Sequence, residues 1–159
     1  VKKILPLEIG KWLSVLVLLA FLVISLSANH ISQAAFSSVQ EAVISQADVS
    51  NMQQADSQMI RRLYGLDPTD YEDILLYCPT TNMGAEELLL VKLKDISQQD
   101  TVTAAIEKRV ATQMASFDGY GVDQYDMLEK SVTEVQGNYI LLVVATDPAP
   151  VRQGFLDAL

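Results

Sequence analysis

The residues after position 30 predict an α+β fold, and three observations carry that prediction. Gly137-Asn138 sits between two runs of strand composition, residues 87–94 alternate with a two-residue period, and apolar residues of 101–117 recur at helical spacing. Taken in chain order, the elements give two leading helices and then ββα twice. This predicts a duplicated ββα arrangement: a four-stranded antiparallel sheet with helices packed on one face.

The chain opens with a different kind of segment. An uncharged apolar run, residues 12–28, begins at Trp12 and closes at Ala28; Lys2, Lys3 and Lys11 precede it, and no Lys or Arg follows until Arg61. Cations on one flank resist translocation, so the N-terminus is expected in the cytoplasm and the domain outside it. As a helix these 17 residues span about 26 Å at 1.5 Å per residue, close to a hydrocarbon core of roughly 30 Å. Two readings stay open: a retained signal anchor, or a long signal segment cleaved after Ser25 and Ser27, small residues at the −3 and −1 positions. Residues 1–30 are thus assigned to a cytoplasmic tip and anchor or signal, 31–35 to a stalk, and 36–159 to the extracytoplasmic domain.

Phe36, Val39, Val43 and Ile44 predict a helix over 36–47, interrupted by the capping chemistry of Asp48 and Ser50-Asn51. Met52, Ala55, Met59, Ile60 and Leu63 predict a second over 52–64, stopped by Gly65. Asp67-Pro68-Thr69-Asp70 is a turn signal. Residues 74–78 read as a first strand closed by Pro79, and 87–94 as a second paired antiparallel to it. Asp100 is the expected cap of a helix over 101–117, on the stripe Val102, Ile106, Val110, Met114 and Phe117. Residues 120–130 read as a loop with a helical turn at 125–129. A hairpin then joins 132–136 to 139–146 through a type II′ turn led by Gly137. The unbroken apolar run 140–145 predicts a central strand covered on both faces. Asp147-Pro148 starts a closing helix whose apolar face carries Val151, Phe155, Leu156 and Leu159.

Composition removes several function classes. The formal charge of −9 becomes −11 once Lys2, Lys3, Lys11 and Glu8 are set aside, so the domain repels nucleic acid and anionic headgroups, and no nucleic-acid partner is expected. Cys78 is the only cysteine and His30 the only histidine. No disulfide, His-based metal site, Ser-His-Asp triad or Cys-His pair follows from such a set. No cofactor is expected.

Several motifs resemble one family: Leu63-Tyr64-Gly65-Leu66-Asp67, Tyr77-Cys78-Pro79, Met83-Gly84-Ala85-Glu86-Glu87-Leu88, Ser116-Phe117-Asp118-Gly119-Tyr120-Gly121 and Gly137-Asn138-Tyr139. Over residues 49–159 the chain resembles the domain of unknown function numbered four-three-five-eight. The resemblance implies a Firmicutes cell-envelope protein behind one membrane anchor or lipoprotein signal, with no assigned activity and no functional residue to carry over.

Simpler accounts compete with each candidate site. Asp67, Asp70, Glu72 and Asp73 offer oxygen ligands for Ca²⁺ but lack the spacing and central glycine of the known loop, and a solvated acidic turn explains them. Glu86 and Glu87 beside the segment Asp70 to Asp73 supply carboxylates for glycosidic-bond cleavage, which requires no histidine. Cys78 reads as a buried small hydrophobe, and Arg61-Arg62 as complements to a helix dipole. Of six tyrosines, Tyr120 and Tyr125, with Gly119 and Gly121, form the candidate binding surface, because two glycines present an aromatic ring on a loop. The functional expectation is a membrane-tethered, non-enzymatic domain binding a protein or cell-wall partner, its membrane contact made through the run from Trp12 to Ala28. A carboxylate-based cell-wall glycan hydrolase and a secreted form of the binding domain are the alternatives.

Overall fold

The structure is a computed structural model that describes residues 12, 14–20 and 31–159. Most of the expected anchor lies outside the described residues. The part within them is helical at 12 and 14–20, and Trp12, Leu16, Val17 and Leu18 are exposed. No helix among the described residues is long and apolar enough to cross a membrane.

From residue 36 onward the helices are α1 (Phe36–Gln46), α2 (Ser57–Tyr64), α3 (Gln99–Phe117), α4 (Val122–Glu129) and α5 (Ala149–Asp157), and the strands are β1 (Met52–Gln54), β2 (Asp73–Pro79), β3 (Glu87–Lys92), β4 (Val132–Gln136) and β5 (Tyr139–Val144). The strands form one antiparallel sheet in the order β1-β2-β3-β5-β4. The α+β class and the four expected strands are present. A fifth strand corrects the count: residues 52–54, expected as the start of a helix, pair with β2, and Asp56 caps α2 by accepting from the Met59 amide at 2.8 Å. The apolar positions 52 and 55 fit a helix stripe equally well, but Asp56 as N-cap sets the helix start at Ser57.

Helices cover both faces of the sheet, not one. Leu89 and Val91 of β3 and Ile140 and Leu142 of β5 point into a core closed by α2, α3 and α4. Leu88, Leu90, Leu141 and Val143 point into a second core closed by α1 and α5. A strand's side chains alternate between faces, so two apolar faces require an unbroken apolar run. All six residues of both β3 and β5 are buried. The two ββα units are also not a simple duplication, since α3 and α5 lie on opposite faces.

Three local readings shift. The helix expected at 101 begins at Gln99, directly after a 3-10 turn that Asp95 caps in a capping box with Gln98, while Asp100 falls within the first helical turn. The expected loop 120–130 is mostly α4. Gly137 has φ of +56° and Asn138 a negative φ, the signs a type II′ turn requires.

Residues 32–34, expected as stalk, are tied to the domain. The Ser32 amide donates to Asn138 Oδ1 at 2.9 Å, and the Tyr139 hydroxyl and Lys92 Nζ donate to the Ala34 carbonyl at 2.8 and 3.3 Å. Phe36 stacks on the Tyr139 ring. The chain therefore enters at the end of the sheet that carries Lys92 and the β4–β5 hairpin.

Candidate functional site

The opposite end of the sheet holds a cleft of about 490 Å³. Helix α2 contributes Met59, Arg62 and Leu63, and α3 contributes Arg109, Gln113, Ser116 and Phe117. Both sets have the spacing of one helix face. Cys78 closes the floor where β2 ends, opposite Gln53 of β1. The β2–β3 loop folds tightly over the mouth, and a Cβ at Gly84 would stand 2.8 Å from that of Pro79.

Beneath the cleft lies a charge network. Glu87 opens β3 fully buried, and Arg109 grips it side-on, Nε to Oε1 at 3.1 Å and Nη2 to Oε2 at 2.7 Å. The Tyr64 hydroxyl also donates to Oε1, and the Gln113 amide nitrogen donates to Oε2 at 3.2 Å. A buried carboxylate is tolerable only with such compensation. Burial, reinforced by the neighbouring charge of Glu87, pushes the Tyr64 phenol well above its ordinary range and raises the Cys78 thiol. Burial works against the Arg109 charge, but its bonds and attraction to Glu87 prevail and raise its pKa further.

The network fixes what Arg109 can do. A guanidinium has five N–H donors, and Glu87 takes two, so the remaining edge is held rigidly beside the cleft. Arg62 adds a second guanidinium whose described partner is the Met59 sulfur, with no ion pair among the described residues. Among the described residues no carboxylate lines this cleft.

Of the residues singled out from the sequence, Tyr120 lies on the rim, 64% exposed and tilted against Phe117. It also borders a smaller cavity of about 340 Å³ with Gly119, Val122 and Tyr125. The two glycines are demanded by geometry. Gly119 has φ of +83°, and a Cβ on Gly121 would stand 2.6 Å from the Phe117 ring. Tyr64, Tyr71 and Tyr139 are buried, which removes them as binding rings.

The acidic residues do not converge. Asp67 accepts from Arg61 and from the Thr69 amide, and Glu72 pairs with Lys92. Asp73 pairs in register with Lys92, five residues along β3 from Glu87, or about 17 Å at roughly 3.4 Å per residue. Among the described residues no group of three or more His, Cys, Asp or Glu could hold a metal ion.

Arg109 and Gln113, which line the cleft, were not among the sequence candidates, and Glu87 beneath it was weighed only as a hydrolase carboxylate. One signal was available: Arg109 and Gln113 stand four apart on α3, and Gln113 is buried beside Ile106 and Phe117 on the inward face.

The family model for a domain of unknown function, DUF4358, matches residues 45–145. The chain belongs to this family. No curated protein and no solved structure matches it.

Proposed function

We propose that the chain is a membrane-tethered extracytoplasmic binding domain of the cell envelope. It is held by its N-terminal apolar segment, with its N-terminus in the cytoplasm, and it carries out no chemistry of its own. The observation that carries this reading is the relation of tether to cleft. Ser32 is bonded to the hairpin end of the sheet, whereas the cleft opens at the Glu87 end, about 17 Å further along β3. Three residues separate Ala28 from Ser32, four steps of chain that reach at most about 14 Å, so the hairpin end faces the bilayer and the cleft faces away from it. The exposed apolar side chains of the described N-terminal helix suit a lipid environment.

A glycan hydrolase is the competing class. The carboxylates argue against it, because Glu87 is sealed by four donors and Asp73 lies well beyond the roughly 5–9.5 Å that paired glycosidase carboxylates keep. Full-length protein in lipid vesicles with a surface-bound quencher tests the reading. A dye at Lys94 is expected to be quenched more strongly than one at Met83, and equal or reversed quenching would reject the orientation. Purified peptidoglycan incubated with the protein is expected to release no soluble fragments; release would favour the hydrolase.

A further inference from the structure

We infer that the cleft between α2, α3 and the β2–β3 loop binds a small organic monoanion, taking its carboxylate on Arg62 and Arg109 and an N–H or O–H donor of the same molecule at Gln113. This deepens the binding-domain reading and rests on it.

Charge selects the ligand's sign. Eight Lys and Arg follow position 30 against nineteen Asp and Glu, yet among the described residues the cleft is lined by two arginines and no acid. An acidic domain repels anions at long range, so a cationic cleft within it concentrates recognition at one place. Charge also sets the ligand's valence. Glu87 neutralises Arg109, and Arg62 remains as the cleft's uncompensated cation among the described residues. A net single positive charge matches a monoanion better than a doubly charged phosphate.

Geometry selects the carboxylate. Arg109 is immobilised by two bonds to one buried carboxylate, which leaves a planar edge of donors already oriented, the arrangement suited to a carboxylate's two oxygens. The donor requirement comes from Gln113. Its amide nitrogen faces Glu87, and its oxygen, on a side chain that lines the cleft, is the one buried side-chain acceptor without a donor among the described residues, so a ligand donor reaches it by displacing the groups that cover it. Unmet acceptors of this kind are rare in native interiors. The size of the cleft falls in the range of small-molecule sites, and Phe117 with Tyr120 provides an apolar wall for the body of such a ligand.

The test uses full-length protein in lipid nanodiscs, titrated with N-acetyl-alanyl-alanine, its C-terminal amide, and inorganic phosphate, and read by calorimetry and by the arginine Nε–H resonances. The acid is expected to bind and to shift the Arg62 and Arg109 signals, and its amide to bind at least tenfold more weakly. Arg62→Gln, at an exposed position that does not threaten folding, is expected to weaken the acid at least tenfold, while Arg61→Gln, which does not line the cleft, changes it less than twofold. Equal binding of acid and amide, indifference to Arg62→Gln, phosphate binding as tight as that of the acid, or no binding of the acid at millimolar concentration would each overturn the proposal. The vesicle quenching pattern separates the two claims. If it holds while the acid fails, the ligand assignment falls and the tethered domain stands; if it fails, the tethered reading falls whatever the cleft binds.

Discussion

Replacing Arg109 with leucine removes the cation from a carboxylate that has no exposure to water. Glu87 is 0% exposed and the Arg109 side chain 15%, and two of the four donors to Glu87 come from Arg109. Tyr64 and Gln113 remain, but both are neutral. Breaking a buried pair from the cation side costs about 3–5 kcal/mol. For a folded unit of this size each kcal/mol lowers Tm by about 3–5 °C, so Arg109→Leu is expected to melt about 9–25 °C lower. Glu87→Gln costs less, because the partly exposed guanidinium regains water. The double variant Glu87→Gln/Arg109→Leu removes both charges and is expected to recover more than half the loss, giving a coupling energy of at least about 2 kcal/mol. Urea denaturation followed by circular dichroism measures all four corners of the cycle. A loss below about 1 kcal/mol for Arg109→Leu, or additive single variants, would refute the claim that this pair is a buried and mutually dependent unit.

Other outcomes follow from single positions. Gly121→Ala drives a methyl to 2.6 Å from the Phe117 ring and is expected to cost about 1–3 kcal/mol in the same denaturation assay. Cys78 is 3% exposed and burial raises its thiol pKa, so alkylation by iodoacetamide at neutral pH is expected to run far slower in folded than in urea-unfolded protein. Stability is expected to fall at both ends of a pH series of melting curves. Tyr64, Cys78 and Lys92 have folded pKa values above their unfolded ones, so their contribution is full below the unfolded values and is lost as pH rises above about 9, where the thiol begins to titrate. Arg61 and Thr69 hold Asp67 low, and Ser50 and Ser97 do the same for Asp48 and Asp95. Their contribution is present above the unfolded value of 3.8 and is lost as pH falls below it.

Strands, hairpin and helix ends were legible where local chemistry decides them. Gly137 with its positive φ, Gly65 at the end of α2 and the alternation in β3 all follow from one or two residues each. Sheet coverage was harder to read. The runs in β3 and β5 announce burial on two faces, but which helix takes which face depends on contacts distant in sequence. β1 is short and lies on the edge, and it owes its strand form to pairing with β2, a tertiary effect that propensity does not carry. The cleft was hidden for a related reason. An apolar stripe drawn along α3 passes through Val110 and Met114, whereas the helix turns Gln113 inward because Glu87 waits there with a buried charge to satisfy. Polar residues on a buried face are invisible to a hydrophobic periodicity until their partner is known. Tyr120 was legible because an exposed ring between two glycines needs no distant partner to place it.

The central claim is that the domain stands outside the cell with its cleft open to the surroundings. Met83 is 64% exposed on the loop beside the cleft, so full-length protein carrying Cys78→Ser and Met83→Cys offers one reactive thiol there. A membrane-impermeant maleimide added to intact cells is expected to label it as completely as after lysis. Labelling that occurs only after lysis would contradict the claim.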